Sequence, residues 1–468
     1  MTGEVLHKER VNAGGHCPTA FIAGVRKNPL RVLSKGGEEP IRGYNAVGPR
    51  NMDEPRILAF IMAGGKGERL FPLTRDRAKP AVPFGGRYRI IDFVLSNMHN
   101  SGIRAMYVLS QYKAQSLVEH IQHVWGTRST HADFVTIVPA QMRMGESWYR
   151  GTADSIHQNF HLVEDFRPDI VVVFGADHVY KMSVRQMVDF HVEKNALATI
   201  ACLPVPVSEA SQFGIVETDV EGRVVGFQEK PTSNVMTIPG DPAHALASMG
   251  NYTFAPLPLH DALEADSQQD THHDFGKNIL PSLVKTGRVF CYDFSRNRIP
   301  GVTEKGELAY WRDVGTIEAY YEANMDLKNV QPHFNLYNWE WPIVSVNYPD
   351  PPSKLVFDDE RRRGMLVQSI MSSGCVIAGG FVKDSVLGRN VWVDEGAEVR
   401  DSILFDNVHV GKGARIQRAI IDKNVRVAPG DHIGHDLARD AVRHHVSQGG
   451  ITVVGKARDT WLTRARNF

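Results

Sequence analysis

The sequence lacks a net charge, a long apolar run and any regular spacing of cysteines. Lys plus Arg and Asp plus Glu each number 53 among 468 residues, so no global charge draws the chain to nucleic acid or to an anionic membrane. The densest apolar run, at residues 170–174, is far shorter than the roughly 18 to 20 residues of a membrane helix. Cys17, Cys202, Cys291 and Cys375 form no C-x-x-C pair, which is typical of packing residues in a reducing compartment. We expect a cytoplasmic protein with no nucleic-acid or membrane partner.

The first 51 residues lack the features of a targeting signal. They contain no apolar signal core, and their acidic residues and single serine argue against a transit peptide. Met52 then opens MDEPRILAFIMAGG, immediately before the first apolar run, as a natural start would. Two interpretations stay open. Residues 1–51 are a disordered extension, which is our prediction, or the start of the chain is assigned too early.

Apolar and amphipathic stretches alternate after residue 56, and the length of the chain predicts two folded units. The runs ILAFIM, AMYVL, IVVVF and LATIACL alternate with stretches such as KAQSLVEHIQHVW, in which Leu117, Ile121 and Val124 fall at helical spacing. This alternation predicts a mainly parallel sheet with helices on both faces, over residues 52–335. Such sheets bind ligands beyond the carboxyl ends of their strands. The loops AGGKGERL and GADHVY therefore come first as candidate sites.

The composition of the sequence changes near residue 336. Residues 336–355, rich in proline and aromatics, are typical of a linker. Residues 356–468 are predicted to form a second domain, in which the chain repeats in sixes from Met371, with glycine, Asp or Asn at the turns. Aliphatic residues recur near every sixth position, as at Val376, Val382, Val410 and Val427. Hexapeptide repeats of this kind predict a parallel β-helix, and an ordinary antiparallel β domain stays open as the alternative.

The glycines of the first loop suit a backbone that wraps a phosphate. Gly64, Gly65 and Gly67 allow sharp turns and bring N–H groups close to a ligand. The loop is not a Walker A sequence, because Glu68 and Arg69 follow where G-K-[S/T] is required, and it lacks the G-x-G-x-x-G spacing of dinucleotide binders. Taken alone, a glycine-rich turn after a strand is more often only a turn.

The segment after this loop carries many cations and little acid. Its basic residues are Arg69, Arg75, Arg77, Lys79, Arg87 and Arg89. A solvated basic face is the ordinary explanation of such a run. The neighbouring glycines, and the stiffening that Pro80 and Pro83 give to the segment, argue instead for cations fixed in place. Fixed cations suit the charge that develops on a polyphosphate in a transition state.

Two carboxylates are candidates for a magnesium site. Asp177 follows a buried apolar strand, and Asp313 in YWRDVGTIEAY is its plausible partner, because Mg²⁺ takes one or two protein carboxylates together with substrate phosphates. An aspartate at a strand end can equally be a cap or turn residue. We interpret His178 as structural, since no second His or Cys lies at ligand spacing. Glu229 and Lys230 in GFQEKP could bind a sugar hydroxyl and a phosphate, although a surface turn is the default explanation.

Together these segments resemble the ADP-glucose pyrophosphorylases (glucose-1-phosphate adenylyltransferases). The motifs AGG-x-G-x-RL, R-AKPAV-FGG, WYRGTAD, GADH-Y, EKP, MGNY-F and RDVGT occur in the order and spacing of that family, from about Ile57 to the repeat region. The resemblance implies a Rossmann-like (GT-A-like) nucleotidyltransferase domain followed by a C-terminal left-handed parallel β-helix used for regulation and oligomerisation. It also implies transfer of the adenylyl group of ATP to glucose 1-phosphate in glycogen biosynthesis, with Mg²⁺ as cofactor, by a homotetramer that a small anionic effector controls.

The resemblance further implies a role for each matching residue. Gly64, Gly65 and Gly67 would wrap the nucleotide, and Tyr149, Gly214, Glu229, Lys230 and Ser248 would line the sugar-phosphate and ADP-glucose site. Arg69 and Lys79 would meet the ATP phosphates, and Lys230 would take the phosphate of glucose 1-phosphate. Asp177 and Asp313 would hold Mg²⁺. Arg77 and Arg89 would bind the effector.

The sequence departs from enterobacterial members of the family in its effector region. Asp76 stands where those members carry Lys, and Pro83 where they carry His, so the identities of the activator and the inhibitor do not carry over. Competing interpretations are a UDP- or dTDP-sugar pyrophosphorylase and a catalytically silent regulatory subunit. A third competing interpretation is a hexapeptide acyltransferase that uses His409, His432 or His435.

Overall fold

The alternating runs of the first part form strands and helices in the predicted order. The computed structural model describes residues 54–126, 133–143, 147–302, 309–356 and 362–456. The extension predicted for residues 1–51 lies outside the described residues. The strands are β1 (Ile57–Ala63), β2 (Pro83–Phe84), β3 (Tyr88–Arg89), β4 (Ala105–Ser110), β5 (Phe134–Pro139), β6 (Ile170–Gly175), β7 (His178–Tyr180), β8 (Ala198–Pro206), β9 (Gly214–Thr218), β10 (Val224–Glu229), β11 (His244–Phe254), β12 (Val289–Asp293) and β13 (Trp311–Asp313). The α-helices are α1 (Ile90–Asn100), α2 (Gln115–Trp125), α3 (Thr152–His157), α4 (His161–Phe166), α5 (Val184–Glu193), α6 (Pro256–Ser267), α7 (Leu280–Val284) and α8 (Ile317–Asp326).

The main sheet combines parallel and antiparallel strand pairs. Its order is β10-β9-β11-β6-β1-β4-β5, with β8 paired to β11 and β12 paired to β8. The strands β6, β1, β4 and β5 run parallel, as predicted, whereas β11 pairs antiparallel with β6, β8 and β9. The mainly parallel prediction is therefore wrong around β11, although β12 pairs parallel with β8. There the turn between β9 and β10 at Asp219–Arg223 is too short for the dozen or more residues that a parallel crossover needs.

Helices cover both faces of the sheet, as the alternation predicts. Alternate residues of β1 enter different cores: Ile61 packs in the core of α1 and α2, and Phe60 in the core of α3 and α6. The helical spacing noted in α2 is confirmed, because Leu117, Ile121 and Val124 are all buried. A strand that is buried on both faces needs a continuous apolar run, and this is why ILAFIM shows no polar alternation.

Residues after β13 and α8 lead into a coil of three short parallel sheets. The strands are β14 (Lys354–Val356), β15 (Met365–Val367), β16 (Ile370–Met371), β17 (Val376–Ala378), β18 (Phe381–Lys383), β19 (Val386–Leu387), β20 (Trp392–Val393), β21 (Glu398–Arg400), β22 (Ile403–Leu404), β23 (His409–Val410), β24 (Arg415–Gln417), β25 (Ala419–Ile421), β26 (Arg426–Val427), β27 (His432–Ile433), β28 (His445–Val446) and β29 (Thr452–Val454), with α9 (Leu437–Arg443) between β27 and β28. Residues 327–353 contain neither helix nor strand.

The three sheets form a parallel β-helix. Val376 pairs with Trp392, and Trp392 pairs with His409, so one coil takes 16 or 17 residues, slightly fewer than three ideal sixes. The inward aliphatic side chains, among them Val382 and Val410, fill its interior. The antiparallel alternative is thereby excluded for β14 to β27, whose pairings are all parallel.

The β-helix packs directly on the first domain. One apolar cluster combines Leu70 and Phe84 with Tyr320 of α8 and with Ile403 and Ile420 of the β-helix. The basic segment that begins at Arg69 therefore lies at the junction of the two domains. In the part of the chain that the structure describes, no helix is long and apolar enough to cross a membrane.

Candidate active site

Two loops meet at one edge of the sheet because the strands before them are parallel neighbours. β1 pairs with β6 from Ile57 opposite Ile170 onward, so the glycine loop after β1 and the GADHVY segment after β6 leave the sheet side by side. β4, on the other side of β1, delivers Gln111 to the same edge. A cleft of about 750 Å³ opens there, where the carboxyl ends of parallel strands place ligands.

The three glycines of the loop differ in what their positions require. Gly67 has a φ of 64°, and a Cβ there would lie 3.0 Å from the Cβ of Lys79, so a side chain would meet both strain and crowding. The Thr74 hydroxyl donates to the Gly67 carbonyl at 2.9 Å and fixes the turn. A Cβ on Gly64 would make an ordinary contact at 3.7 Å, and one on Gly65 would meet nothing within 4 Å. Gly64 and Gly65 thus leave their backbone open to the cleft.

Lys79 lies between two carboxylates. It begins the short 3₁₀ helix Lys79–Ala81, with Pro80 in its first turn, and its side chain is only 6% exposed. Its Nζ donates to Asp177 Oδ2 at 3.0 Å and to Asp313 Oδ1 at 2.9 Å. Burial lowers the pKa of Lys79, but the two carboxylates outweigh burial and raise that pKa above its ordinary value. Lys79 therefore stays cationic across the physiological pH range.

Asp177 and Asp313 reach the cleft from distant parts of the chain. Asp177 follows β6, and Asp313 ends β13, which pairs with β7 and sets Asp313 opposite His178. Desolvation in the cleft raises the pKa of Asp177, but its interactions with His178 and Lys79 outweigh desolvation and hold the pKa well below its usual range. The Nη2 of Arg69 donates to Asp313 Oδ2 at 3.4 Å. Two cations and two carboxylates thus alternate across the floor of the cleft.

A second cavity of about 570 Å³ adjoins the first. Gly214, Glu229, Lys230 and Ser248 line it together. Gly214 begins β9 and pairs with Glu229 at the end of β10. A Cβ on Gly214 would lie 2.6 Å from the ring of Phe227, so this glycine lets the two strands close. Lys230 is largely exposed, with its Nζ 3.5 Å from Glu229 Oε1.

Tyr149 lies in the first cavity rather than with Glu229 and Lys230. It lines the cleft beside the glycine loop, and its hydroxyl accepts a hydrogen bond from Asn159 at 2.9 Å. Burial raises the pKa of Tyr149, which keeps its hydroxyl protonated. The structure therefore divides the predicted substrate residues between two adjoining spaces.

Arg69 and Asp177 line both cavities. A ligand in the first space and a ligand in the second would meet at these two side chains. Arg69 is an exposed cation and Asp177 is a carboxylate that stays ionised, so the junction suits reacting groups that carry phosphate charge and a metal.

Asp177, His178 and Asp313 each offer a ligand atom, and these atoms lie within 4.8 Å of one another. The carboxylate oxygens fit Mg²⁺, which favours oxygen ligands and keeps room for substrate phosphates. The donor set is therefore compatible with the predicted metal site.

The chain matches known proteins over most of its length. Residues 58–330 match the family model described as nucleotidyl transferase, and residues 351–454 match the one described as GlmU-like, C-terminal hexapeptide. A glucose-1-phosphate adenylyltransferase of Anaeromyxobacter dehalogenans is 56% identical over 404 residues, which cover 86% of this chain and 98% of that protein. Those of Thermus thermophilus and Rhodococcus opacus are each 52% identical, over 73% and 87% of this chain and 84% and 99% of their own lengths.

The chain belongs to the glucose-1-phosphate adenylyltransferase family. This membership confirms the resemblance that the motifs indicate, and with it the class of enzyme, a nucleotidyltransferase. The fold of the family is also confirmed: a nucleotidyltransferase domain precedes a hexapeptide coil whose parallel strands are consistent with a left-handed β-helix.

The residues that the family resemblance links to an effector lie at the domain junction, away from both cavities. Arg77 is buried, and its Nη2 donates to both carboxylate oxygens of Asp422 at 2.8 and 3.1 Å. Arg89 donates to the carbonyl of Ser116 at 2.5 Å. Asp76 is one of the two departures from the enterobacterial pattern. Its carboxylate accepts a hydrogen bond from Arg75 at the surface.

Pro83, the other departure, is buried in β2, which pairs with β3. The carbonyl of Pro83 accepts a hydrogen bond from the hydroxyl of Tyr320. This position therefore anchors α8 to the basic segment.

Several residues that line the cavities received no predicted role from the sequence. They are Gln111, Tyr112, Thr152 and Ser155 in the first space and Phe227, Trp311 and Tyr252 in the second. Gln111 and Tyr112 could have been found, because they follow an apolar strand, as the glycine loop and Asp177 do. The aromatic residues of the second space carry no such signal, since an aromatic side chain in a strand is most often core.

Proposed function

We propose that this protein transfers the adenylyl group of ATP to α-D-glucose 1-phosphate, giving ADP-glucose and pyrophosphate, the committed step of glycogen synthesis. The observation that carries the proposal is the pair of adjoining cavities that share Arg69 and Asp177. A transfer between two bound substrates needs two such spaces and one charged junction. The name shared by its relatives supplies the identity of the substrates.

The reaction requires positioning and charge neutralisation rather than a covalent enzyme intermediate. A phosphate oxygen of glucose 1-phosphate attacks the α-phosphorus of ATP, and the bond from that phosphorus to the bridging oxygen of pyrophosphate breaks. The open backbone at Gly64 and Gly65 would hold the triphosphate, and Lys230 would hold the sugar phosphate. Arg69 and Lys79 would stabilise the charge that builds on the leaving pyrophosphate.

We propose Mg²⁺ as the cofactor, held by Asp177 and Asp313. When bound, the metal neutralises phosphate charge and orients phosphate oxygens. Lys79 already spans one oxygen of each carboxylate at 3.0 and 2.9 Å, so it holds the two groups close together. Without Lys79 the two carboxylates would repel each other.

Product analysis tests this proposal. Purified protein with ATP, glucose 1-phosphate and MgCl₂ should release pyrophosphate and ADP-glucose in equal amounts, and chelation of Mg²⁺ should stop both. UTP and dTTP should support far lower rates. A faster rate with UTP or dTTP would identify a different sugar nucleotidyltransferase, and nucleotide binding without turnover would identify a regulatory subunit.

We also propose that a small anion binds at the domain junction, beside Arg77, Arg89 and Lys423, and regulates the enzyme. Burial lowers the pKa of Arg89 and of Lys423, and repulsion from Arg77 adds to this, although Asp406 partly offsets it and accepts a hydrogen bond from Lys423 at 2.8 Å. The Nη1 of Arg77 is buried without a hydrogen-bond partner among the described residues. An anion would relieve this repulsion. A screen of sugar phosphates and nucleotides should find one that changes turnover, and Lys423→Gln should abolish that response. An unchanged response would refute this site.

The proposed homotetramer has a candidate surface at the start of the β-helix. β14 and β15 are the end strands of their sheets, and Leu355, Val356, Met365 and Val367 on them are 39–47% exposed. Exposed apolar strands at a sheet end favour pairing with a second copy. Sedimentation should give a tetramer for the native chain and a smaller species for Val356→Glu. The cytoplasmic location is likewise a proposal, supported by the free cysteines Cys202, Cys291 and Cys375.

A further inference from the structure

We propose that His178 is a metal ligand of the candidate active site, and that its nitrogen makes this site bind Co²⁺ more tightly than Mg²⁺. The inference rests on the metal site of the proposed function and adds a donor that two carboxylates alone would not supply. It replaces the structural role that sequence reasoning gives to His178.

The first observation is the distribution of basic partners among the carboxylate oxygens. Lys79 takes Asp177 Oδ2 and Asp313 Oδ1, and Arg69 takes Asp313 Oδ2. Asp177 Oδ1 instead faces the Nδ1 of His178 at 3.2 Å. Among these four oxygens, Asp177 Oδ1 is the one that neither cation engages.

The second observation is the state of the histidine nitrogen. The Nδ1 of His178 is fully buried and has no hydrogen-bond partner among the described residues, although Asp177 Oδ1 lies close to it. A buried polar atom of this kind needs a partner, and a cation between this nitrogen and Asp177 Oδ1 would supply one to both atoms. A ring nitrogen of His178 also lies within 4.8 Å of a carboxylate oxygen of Asp313.

The third observation is the space beside these atoms. A Cβ built on Gly175 would lie 3.2 Å from Asp177 Oδ1 and 3.6 Å from His178 Nδ1. The glycine at the end of β6 therefore leaves open the point on which the oxygen and the nitrogen converge. Gly175 and Asp177 both line the first cavity, so a cation at this point would adjoin the triphosphate space.

The imidazole ring is also held in a fixed orientation. The ring of His178 packs on Trp311 with ring centroids 4.7 Å apart. Phe213 packs against the same Trp311, with ring centroids 5.5 Å apart. Trp311 lies two residues before Asp313 on β13. One strand thus supplies a carboxylate ligand and the aromatic surface that orients the histidine, an arrangement that positions ligands rigidly.

The nitrogen donor has a predictable effect on metal preference. Imidazole favours metals later in the first transition row, whereas Mg²⁺ favours oxygen ligands. A site made of two carboxylates and one imidazole should therefore bind Co²⁺ more tightly than Mg²⁺. Removal of the nitrogen should reduce Co²⁺ affinity by about tenfold or more, the scale for changes around a metal ligand, and should change Mg²⁺ affinity much less.

Pulsed electron paramagnetic resonance of the full chain with MnCl₂ alone tests the proposal directly. Bound Mn²⁺ should show nitrogen coupling from an imidazole. The coupling should disappear in His178→Phe, which keeps an aromatic ring against Trp311, and in Asp177→Asn. It should persist in the control His432→Phe, because His432 lies on the surface of the β-helix. Titration calorimetry with CoCl₂ and MgCl₂ should show the affinity ratio falling in His178→Phe.

Several outcomes would overturn the proposal. They are absence of nitrogen coupling in the native protein, persistence of the coupling in His178→Phe, and an unchanged ratio of Co²⁺ to Mg²⁺ affinity. The first would indicate that His178 is an imidazolium paired with Asp177. None of these measurements uses ATP or glucose 1-phosphate. Failure to form ADP-glucose would therefore refute the proposed function and leave the metal result standing, and the reverse also holds.

Discussion

Two neighbouring cations of the basic segment serve different domains. Lys79 points into the cleft, where it binds Asp177 and Asp313. Arg77, only two residues earlier, points to the β-helix and binds Asp422. Both cations are buried and both meet carboxylates, yet one belongs to a site open to substrates and the other to a domain junction. A segment of this kind links the position of the β-helix to the position of Lys79.

Lys79 and Arg77 carry the same charge, so the role of each depends on where its carboxylate partner lies. Asp177 and Asp313 line cavities and keep ionised oxygens available to ligands. Asp422 has a side chain only 2% exposed and is enclosed by the coil. Loss of a partner at the cleft should therefore reduce turnover, and loss of one at the junction should reduce stability.

Removal of Lys79 should have the largest effect on turnover. Lys79→Met deletes a preorganised cation at the point where pyrophosphate charge develops, and such deletions cost about 10²–10³ in kcat. Steady-state pyrophosphate release measures the loss. The β-helix contacts of Arg77 should be retained, so circular dichroism should show native secondary structure. A kcat within a few-fold of the native value would contradict the catalytic role of Lys79.

Asp177→Asn should reduce turnover by at least about a hundredfold, the scale for one preorganised electrostatic element. The substitution keeps the size of the side chain and removes the charge that the proposed metal requires. Pyrophosphate release at increasing MgCl₂ measures the effect. Saturating Mg²⁺ should not restore the rate. Near-normal turnover would refute the metal role of Asp177.

Asp422→Asn is the matched change at the junction, and here stability should respond more than turnover. Breaking a buried ion pair leaves the other charge uncompensated, at a cost of roughly 3–5 kcal/mol for full truncation. Because Asn retains an acceptor for Arg77, we expect a loss of about 2 kcal/mol in the free energy of unfolding. Urea denaturation measures it. A large fall in kcat with unchanged stability would reverse the comparison.

Much of the scaffold could be predicted because its signals are local. Apolar runs such as ILAFIM must be buried on both faces. The six-residue repeats must stack their aliphatic side chains in layers. The parallel neighbours β1 and β6 then bring Gly64 and Asp177 together without further information. The antiparallel strands around β11 could not be predicted, because short turns such as Asp219–Arg223 join strands with no helix between them and so interrupt the alternation on which the prediction rested.

The contacts across the domain junction could not be predicted from the sequence. Nothing local distinguishes Arg77 from Lys79, since both lie in one basic run and their partners are 345 and 98 residues away along the chain. Lys423 carries no motif of its own and approaches Arg89 only because the coil stacks in register. The role of His178 depends on the stacking with Trp311, which the pairing of β7 with β13 creates.

The smallest effect on stability should come from the contact of α8 with the hairpin of β28 and β29. The carboxylate of Glu318 accepts from the backbone N–H of Gly449 at 2.9 Å. Partial burial raises the pKa of Glu318, but hydrogen bonds from Gly449 and Ser447 outweigh it and lower the pKa below its ordinary value. The charged form is therefore favoured by folding. Its contribution is present at neutral pH and is lost as the pH falls through the pKa of the folded state.

Glu318→Gln should accordingly lower the free energy of unfolding by only about 0.5 kcal/mol at pH 7, because the contact lies near the surface where solvent screens it. The difference from the native protein should be smaller at about pH 3, because the unfolded-state carboxyl is protonated there and the pH has moved toward the lowered pKa of the folded state. Urea denaturation at both pH values measures the two differences. A loss of equal size at both would show that shape rather than charge holds the hairpin on α8. A loss as large as that of Asp422→Asn would show that this surface contact stabilises the domain junction as much as the Arg77 pair does.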